Sequence, residues 1–154
     1  MNFQSALLHA QITDYLEMPN TTMTKRLRAT VIVSSPQGIL LTETHSGLIL
    51  LPGGGIERRE LAIAAAVREL HEETGLVAEA VQFVCETQSH SNIHHVFEVR
   101  AFTGTPSALS DAKALCYQST ADTLAGKFPA KASPATVVII KTYYDWLLSS
   151  GRAS

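Results

Sequence analysis

The sequence predicts a single domain that mixes α-helices and β-strands. Its 154 residues suit one domain with a sizeable core. Short segments rich in β-branched residues alternate with turn residues, whereas longer segments carry apolar residues at helical spacing. A hydrophobic content of 45% with 17% charged residues is typical of a globular chain and not of a disordered one. Periodicity alone therefore narrows the fold class to α/β or α+β.

The sequence of the first half of the domain predicts two paired strands, a short third strand and a glycine loop. Residues 27–33 and 39–44 are β-rich and are separated by the turn sequence Ser-Ser-Pro-Gln-Gly, which predicts a hairpin. Residues 47–51 predict a short third strand. Residues 52–55, Pro-Gly-Gly-Gly, predict a tight loop in which the backbone can approach a ligand closely.

The second half predicts three further strands. Residues 80–87 and 94–102 are strand-like, and the polar connection 88–92 makes them a second hairpin. Residues 104–110 predict a loop that contains a proline. Residues 114–118 predict a short strand.

Helices are predicted at both ends of the chain and in the middle. Residues 3–17 have apolar spacing that predicts an amphipathic helix, so residues 1–24 are interpreted as an N-terminal helix and linker before a domain at 25–150. Ser119 and Thr120 are candidate caps of a short helix that ends near Ala125. Ser133-Pro134 predicts the start of a helix to about Leu148. Its expected buried face contains Val138, Ile139, Thr142, Tyr143 and Trp146.

The segment 61–73 is the strongest predicted helix, because it lacks Gly and Pro and is rich in Ala, Leu and Glu. Apolar residues at i, i+3, i+4 and i+7 are expected to face the core: Ile63, Ala66, Val67 and Leu70. Glu69, Glu72 and Glu73 share another face, where their like charges repel. A hard divalent cation with oxygen ligands would turn that repulsion into attraction. The alternative is a solvated acidic face.

The stretch from Gly54 to Leu76 resembles the signature of the Nudix hydrolases. That signature is Gly, five residues, Glu, seven residues, then Arg-Glu-aliphatic-x-Glu-Glu-x-Gly-aliphatic. The chain fits it with Gly54, Glu60, Arg68, Glu69, Leu70, Glu72, Glu73, Gly75 and Leu76. The resemblance implies an α/β fold of the Nudix type, an α/β/α sandwich with a mixed β-sheet between helices.

The resemblance also implies a metal site. Glu69, Glu72 and Glu73 are expected to bind Mg²⁺, with Mn²⁺ as a possible substitute, and a loop carbonyl near Gly53 or Gly54 is expected to join them. Carboxylate and carbonyl oxygens are the ligands that such hard cations prefer.

The predicted catalytic residues are Glu69, Arg68, Glu60 and Asp111. Arg68 is expected to orient a glutamate through its fork of donors. The general base is expected to be Glu69 or a loop carboxylate such as Asp111, although an aspartate in a loop is also an ordinary turn residue. Glu98 and Glu86 rank below Asp111 as candidates.

The predicted substrate-binding residues are Arg28, Gly54, Gly55 and His95. For Arg28 the competing interpretation is an exposed charge at a sheet edge. His94 and His95 point to opposite faces of one strand, so at most one of them can serve the cleft. Four aromatic residues are candidates for base stacking, with core packing as the commoner role: Phe97, Phe102, Tyr117 and Phe128.

The function that the sequence predicts is a Mg²⁺-dependent pyrophosphohydrolase acting on a small nucleoside diphosphate derivative. The alternatives are a non-catalytic nucleotide-sensing domain and a pyrophosphohydrolase of RNA 5′ ends. Twelve basic against fourteen acidic residues speak weakly against nucleic acid. Which nucleotide derivative is bound stays open.

The cellular location is predicted from features that the sequence lacks, and the oligomeric state is left open. The chain has no long apolar run and no signal-like N-terminus, which predicts a cytoplasmic location without a membrane partner. Cys85 and Cys116 are interpreted as core thiols. A homodimer is left open, with the N-terminal helix as one means of forming it.

Overall fold

The computed structural model describes residues 24–152, so the helix predicted for residues 3–17 lies outside the described part of the chain. The described residues form seven strands and three helices. The strands are β1 (Arg26–Ser35), β2 (Gly38–Thr44), β3 (Ile49–Leu50), β4 (Gly53–Gly55), β5 (Val77–Gln88), β6 (Asn92–Thr103) and β7 (Ala112–Gln118). The helices are α1 (Ala62–Thr74), α2 (Thr120–Leu124) and α3 (Pro134–Ser149).

Strand β1 organises the mixed sheet. Its residues Arg26–Val33 pair parallel with β6, in the register Arg28 to His94, and residues Arg28–Thr30 pair antiparallel with β4 on the other edge. Its last residues pair with β2 in the predicted hairpin, where Ser34 faces Ile39. Strands β5 and β6 form the second predicted hairpin, and β2 also pairs antiparallel with β3 and β7. The first half of β1 is thus flanked by the glycine strand and by β6.

Two helices cover opposite faces of this sheet, which confirms the predicted α/β/α sandwich. On one face, Ala65, Ala66 and Leu70 of α1 pack against alternate residues of β1 and β6. On the other face, Ile139 and Ile140 of α3 pack in a second core cluster with the intervening strand residues. Alternation along β1 therefore sends successive side chains to different helices.

The caps explain why these helices begin and end where they do. Gly75 follows α1 with a φ of 74°, the left-handed conformation that glycine adopts without strain, and its N–H donates to the His71 carbonyl at 2.8 Å. The Ser133 side chain accepts from the Thr136 N–H at the start of α3, with Pro134 in the first turn. The Ser119 side chain caps α2 in the same way.

The predicted buried faces of the two long helices need correction at one position each. Ile63 of α1 is 42% exposed, and Val138 of α3 is 50% exposed. The buried side chains are instead Ala65 beside Ala66 in α1, and Ile140 beside Ile139 in α3. A face that packs on a broad sheet is wider than one i, i+3, i+4 stripe and can take in consecutive residues.

The glycine run is a strand, and the predicted loop at this position was wrong. Gly53, Gly54 and Gly55 pair with Thr30, Ala29 and Arg28 of β1. Gly53 has a φ of 151°, and a Cβ atom there would collide with the Ala29 carbonyl. Glycine lowers strand propensity because it packs no side chain, yet it permits this close approach of two backbones.

Cys85 and Cys116 are free and partly buried in β5 and β7, and burial raises the pKa of both thiols. In residues 24–152 we find no helix with the length and apolarity that a membrane crossing requires.

Candidate active site

Arg68 is the centre of a hydrogen-bond network at the acidic face of α1. Its Nε and Nη2 donate to the two carboxylate oxygens of Glu60 at 2.8 and 2.9 Å. Its Nη1 donates to Glu69 Oε1 at 2.8 Å and to Glu72 Oε2 at 3.3 Å, and Nη2 also reaches the Gly55 carbonyl at 3.1 Å. Such a bidentate fork fixes direction as well as distance. The network holds Glu69 in one orientation.

Glu60 is held in its ionised form. The bond from Arg68, followed by the N–H of Glu57, lowers the pKa of Glu60 to about 2. The same pairing, with Glu60 first and Glu69 second, raises the pKa of Arg68 above its ordinary value. Glu60 therefore serves as a permanent counter-charge to the arginine.

Beside this network, Glu69, Glu73 and Asp111 line one cavity of about 350 Å³, together with the β4 glycines and Arg28. We call it the acidic cavity. The Glu69 side chain is 15% exposed, whereas the Glu72 side chain is 51% exposed and does not line this cavity.

The loop before β7 brings Asp111 to the end of α1. Leu109 N–H donates to the Glu73 carbonyl at 2.9 Å, and Ser107 N–H donates to the Thr74 carbonyl at 3.0 Å. These two bonds satisfy carbonyls that a helix C-terminus leaves without partners. Ser110, next to Asp111, has a φ of 53°, which is unusual for a residue with a side chain. The loop is therefore docked on the helix that carries the glutamates.

Glu73 carries the most perturbed carboxyl of the cavity. Its Oε2 accepts from the Gly53 N–H at 3.2 Å. Burial raises the pKa of Glu73 to about 7, and the nearby charges of Glu69 and Asp111 add to the rise, while Gly53 N–H and Arg28 oppose it. The raised pKa of this carboxyl therefore reflects its burial first and the neighbouring carboxylates second.

Gly54 gives room to the Glu69 carboxylate. A Cβ atom at Gly54 would overlap the Glu69 carboxyl carbon and both its oxygens, whereas a Cβ at Gly55 would meet nothing within 4 Å. The Glu69 carboxylate therefore occupies the space that a side chain at Gly54 would fill.

The residues of the acidic cavity fit a hard divalent cation. In residues 24–152 no three His, Cys, Asp or Glu side chains already stand at the spacing of a metal site. Yet Glu69 and Glu73 both line one cavity, their carboxylate oxygens are the ligands such a cation prefers, and the charges of Glu69 and Asp111 help to raise the pKa of Glu73. Glu72 lies one helical turn from Glu69, on the same side.

Arg28 stands at the junction of this cavity and the next. Its Nη2 donates to the Gly53 carbonyl at 2.8 Å, so the carbonyl predicted to bind metal already has one partner. Arg28 also lines an apolar cavity of about 390 Å³, whose walls include Leu50, Leu51 and Ile139. The N-terminus of α3 and the β5–β6 turn supply polar groups to this apolar cavity.

His94, and not His95, lies at the apolar cavity. His94 is 5% exposed, with Nδ1 at 2.9 Å from Thr30 Oγ1 and Nε2 at 3.2 Å from Ser89 Oγ. Burial, and then the charge of Arg28, lowers the pKa of His94, which keeps the ring neutral at pH 7. His95 points to the other face of β6, with Nδ1 3.9 Å from Glu86 Oε2. The alternation rule predicted one histidine in the cleft, but the choice required the register with β1.

The remaining candidates lie away from both cavities. Glu98 accepts from the Tyr143 hydroxyl at 2.9 Å on the α3 side of the sheet, and burial together with Glu98 raises the pKa of Tyr143. Phe97 is buried in the α1 core. Phe102 and Tyr117 pack at the edge of that core, and Phe128 packs at the edge of the other.

Comparison with known proteins agrees with this geometry. A sequence model of the NUDIX domain matches residues 24–136. No curated protein matches the sequence closely enough to count as a relative.

Many solved structures share the fold. A nudix hydrolase family member from Chromobacterium violaceum is 26% identical, with 79% of this chain and 77% of that chain covered and a TM-score of 0.69. The E. coli ORF135 protein is also 26% identical, with 88% and 99% covered and a TM-score of 0.67. The NUDIX domain of Shewanella oneidensis NrtR, crystallised with ADP ribose, is 18% identical, with 88% and 97% covered and a TM-score of 0.65.

Proposed function

This chain belongs to the NUDIX family of hydrolases, and we propose that it is a Mg²⁺-dependent pyrophosphohydrolase of a nucleoside diphosphate linked to another moiety. One observation carries the proposal: a cavity lined by Glu69, Glu73 and Asp111 joins an apolar cavity of nucleoside size through Arg28. The first suits a metal-bound diphosphate and the second suits its nucleoside.

Glu69, Glu72 and Glu73 would hold the Mg²⁺, with the Gly53 carbonyl beside them. When bound, such a cation screens the diphosphate, polarises its oxygens and lowers the pKa of a water molecule. Arg68 keeps Glu69 aimed at the cavity, and Glu60 keeps Arg68 in place through the two-pronged bond. The Gly53 N–H does the same for Glu73.

Asp111 is the better placed of the two candidate bases. Glu69 Oε1 already accepts from Arg68 at 2.8 Å, so that oxygen already has a partner. Asp111 lines the same cavity on an exposed loop residue. It would take the proton of the water that attacks phosphorus while the P–O–P bridge breaks.

Arg28 would bind the phosphates from the nucleoside side. Its guanidinium lies between the two cavities and bonds only a neutral carbonyl among residues 24–152. The NrtR domain was crystallised with ADP ribose, a nucleoside diphosphate linked to a sugar, which supports this class of ligand.

The test is hydrolysis of a panel of nucleoside diphosphate derivatives with Mg²⁺ or Mn²⁺, read as phosphate released after phosphatase treatment. Glu69→Gln is expected to lower kcat by at least about 100-fold on the best substrate, because the charge facing the cavity is lost. Glu79→Gln, an exposed change on β5, is the matched control and should stay within about twofold.

Normal turnover by Glu69→Gln in Mg²⁺ would contradict the proposed mechanism. Binding of ADP-ribose without hydrolysis of any panel member would instead favour the nucleotide-sensing alternative.

A further inference from the structure

A third cavity, of about 520 Å³, lies at the start of β1 and beside the β5–β6 turn. We call it the basic cavity. Lys25, Arg26, Arg28 and His90 supply its ionisable side chains, and no Asp or Glu lines it. It shares Arg28 with the other two cavities, and it shares the turn residues around His90 with the apolar cavity. Each of the three cavities therefore borders the other two at Arg28.

The positive charge of the basic cavity has no carboxylate partner within residues 24–152. Lys25 Nζ donates to the neutral Gln88 Oε1 at 3.0 Å, and Arg28 donates to a carbonyl. Arg68 and Arg100 elsewhere on the described surface both lie in salt bridges with glutamates. Uncompensated cations that converge on one cavity create an attraction for an anion.

Neutral donors complete the cavity. The Ser91 hydroxyl and the Asn92 amide, bonded to each other at 3.1 Å, both belong to residues that line it. A phosphate monoester offers several strong acceptor oxygens and about two negative charges, which suits a mixture of guanidinium, ammonium, hydroxyl and amide donors.

We propose that the basic cavity binds a second phosphate group, so that the substrate is a nucleoside diphosphate derivative with an additional phosphate monoester on its nucleoside part. This rests on the proposed function, which puts the diphosphate in the acidic cavity and the nucleoside in the apolar cavity. Arg26 and Arg28 are two strand residues apart, about 7 Å along β1. The additional phosphate would therefore lie close to the two phosphates of the diphosphate.

The basic residues favour a small ligand over a nucleic-acid chain. They are gathered around one cavity and its border with the neighbouring cavities instead of running along a surface, and the whole chain has a net charge of −2. A nucleic acid is therefore the competing outcome of the test below.

The binding experiment uses the full chain in EDTA, where no hydrolysis occurs. Calorimetry compares 5′-AMP with adenosine 2′,5′-bisphosphate and adenosine 3′,5′-bisphosphate. One bisphosphate is expected to bind at least tenfold tighter than 5′-AMP, and the double variant Lys25→Ser/Arg26→Ser is expected to reduce that preference to about twofold. The double variant Lys127→Ser/Lys131→Ser, at exposed positions that line none of the three cavities, is the charge-matched control and should keep the preference.

Three results would overturn the inference. One is equal binding of all three ligands by the unchanged protein. Another is that the Lys25→Ser/Arg26→Ser double variant binds 5′-AMP and the bisphosphate more weakly by the same factor, because the cavity would then hold the 5′-phosphate. The third is tighter binding of a 5′-phosphorylated dinucleotide than of either bisphosphate, which would indicate a nucleic-acid chain.

Hydrolysis distinguishes this inference from the proposed function. With Mg²⁺, kcat/KM is compared for a nicotinamide dinucleotide with and without its ribose 2′-phosphate, and for a matched pair that differs in a 3′-phosphate. Both the proposed function and this inference are supported if kcat/KM is at least tenfold higher for the substrate with the additional phosphate in one pair, and if the Lys25→Ser/Arg26→Ser double variant loses this difference. Absence of any hydrolysis with the binding preference intact overturns the proposed function and leaves the phosphate site supported.

Discussion

Arg68 bonds to Glu69, which lines the acidic cavity, and Arg28 lines the same cavity, yet the two guanidinium groups differ in what they bind. Arg68 donates to three carboxylates and one carbonyl, so its charge is compensated several times over. Arg28 donates to a single carbonyl and opens on three cavities. The first arginine is part of the frame of the site, and the second is available to an anion.

The difference follows from distance along the chain. Arg68 is adjacent to Glu69 in α1, and Glu60 lies only eight residues before it. Arg28 meets Gly53 across 25 residues, through the pairing of β1 with β4. The Arg68 network joins residues close together in the sequence, whereas the Arg28 contact depends on the assembled sheet.

Replacing each arginine by lysine is the strongest test of this contrast. Arg68→Lys keeps one charge but loses the planar fork, so Glu69 loses its fixed direction, and kcat is expected to fall by about 100- to 1,000-fold. Arg28→Lys keeps a cation at the cavity junction, and its expected effect is a rise in KM of about tenfold with a much smaller change in kcat. Steady-state kinetics with Mg²⁺ measures both. Equal losses of kcat in the two variants would show that Arg28 is also part of the frame.

The carboxyl of Glu73 gives the next largest effect, on stability. Its pKa is raised to about 7 in the folded protein from 4.5, so ionisation disfavours the folded state. Without metal, this contribution to the free energy of unfolding is complete below about pH 4.5 and is lost as pH rises towards 7, by up to about 3 kcal/mol.

Denaturant unfolding of the unchanged protein and of Glu73→Gln, in EDTA from pH 4.5 to 8, measures that loss as the difference between the two proteins. Mg²⁺ at pH 8 is expected to restore the stability of the unchanged protein only. A difference that does not vary with pH would mean that the folded protein does not raise the pKa of Glu73.

Gly54→Ala tests how closely the Glu69 carboxylate packs against β4. The new methyl group would occupy the position of the Glu69 carboxylate, so kcat is expected to fall by about 10- to 100-fold. Gly55→Ala is the matched control, since both glycines lie in β4 without a left-handed φ and only Gly54 meets Glu69. Normal turnover by Gly54→Ala would show that Glu69 can leave its position without cost to the reaction.

The parts of the fold that depend on local pattern could be predicted from the sequence. The helix of the acidic face, its Gly75 cap and the Ser133 cap of α3 all follow from residues within one or two turns. The hairpins between β1 and β2, and between β5 and β6, follow from turn residues between β-rich segments. The sandwich itself needed the family resemblance as well.

The parts of the fold and of the site that depend on non-local strand pairing could not be predicted from the sequence. The strand at Gly53–Gly55 forms because β1 offers a backbone edge to glycines that have no side chain to keep it away. The choice of His94 over His95 depends on which face of β6 shares a cavity with Arg28. No pattern within either segment contains that register.

The smallest expected effect concerns Arg59, in the turn that presents Glu60 to Arg68. Arg59 has a φ of 65°, and the Glu60 N–H donates to the Glu57 carbonyl at 3.0 Å to close the turn. A residue with a Cβ is strained in this left-handed conformation, so Arg59→Gly is expected to raise the free energy of unfolding by about 0.5–1 kcal/mol. Arg58→Gly is the matched control, because Arg58 has no positive φ and glycine there only adds entropy to the unfolded chain. Denaturant unfolding in EDTA measures both. A loss of stability in Arg59→Gly would mean that the arginine side chain itself stabilises the turn. The structure that positions Arg68 would then include a residue that does not bond to it.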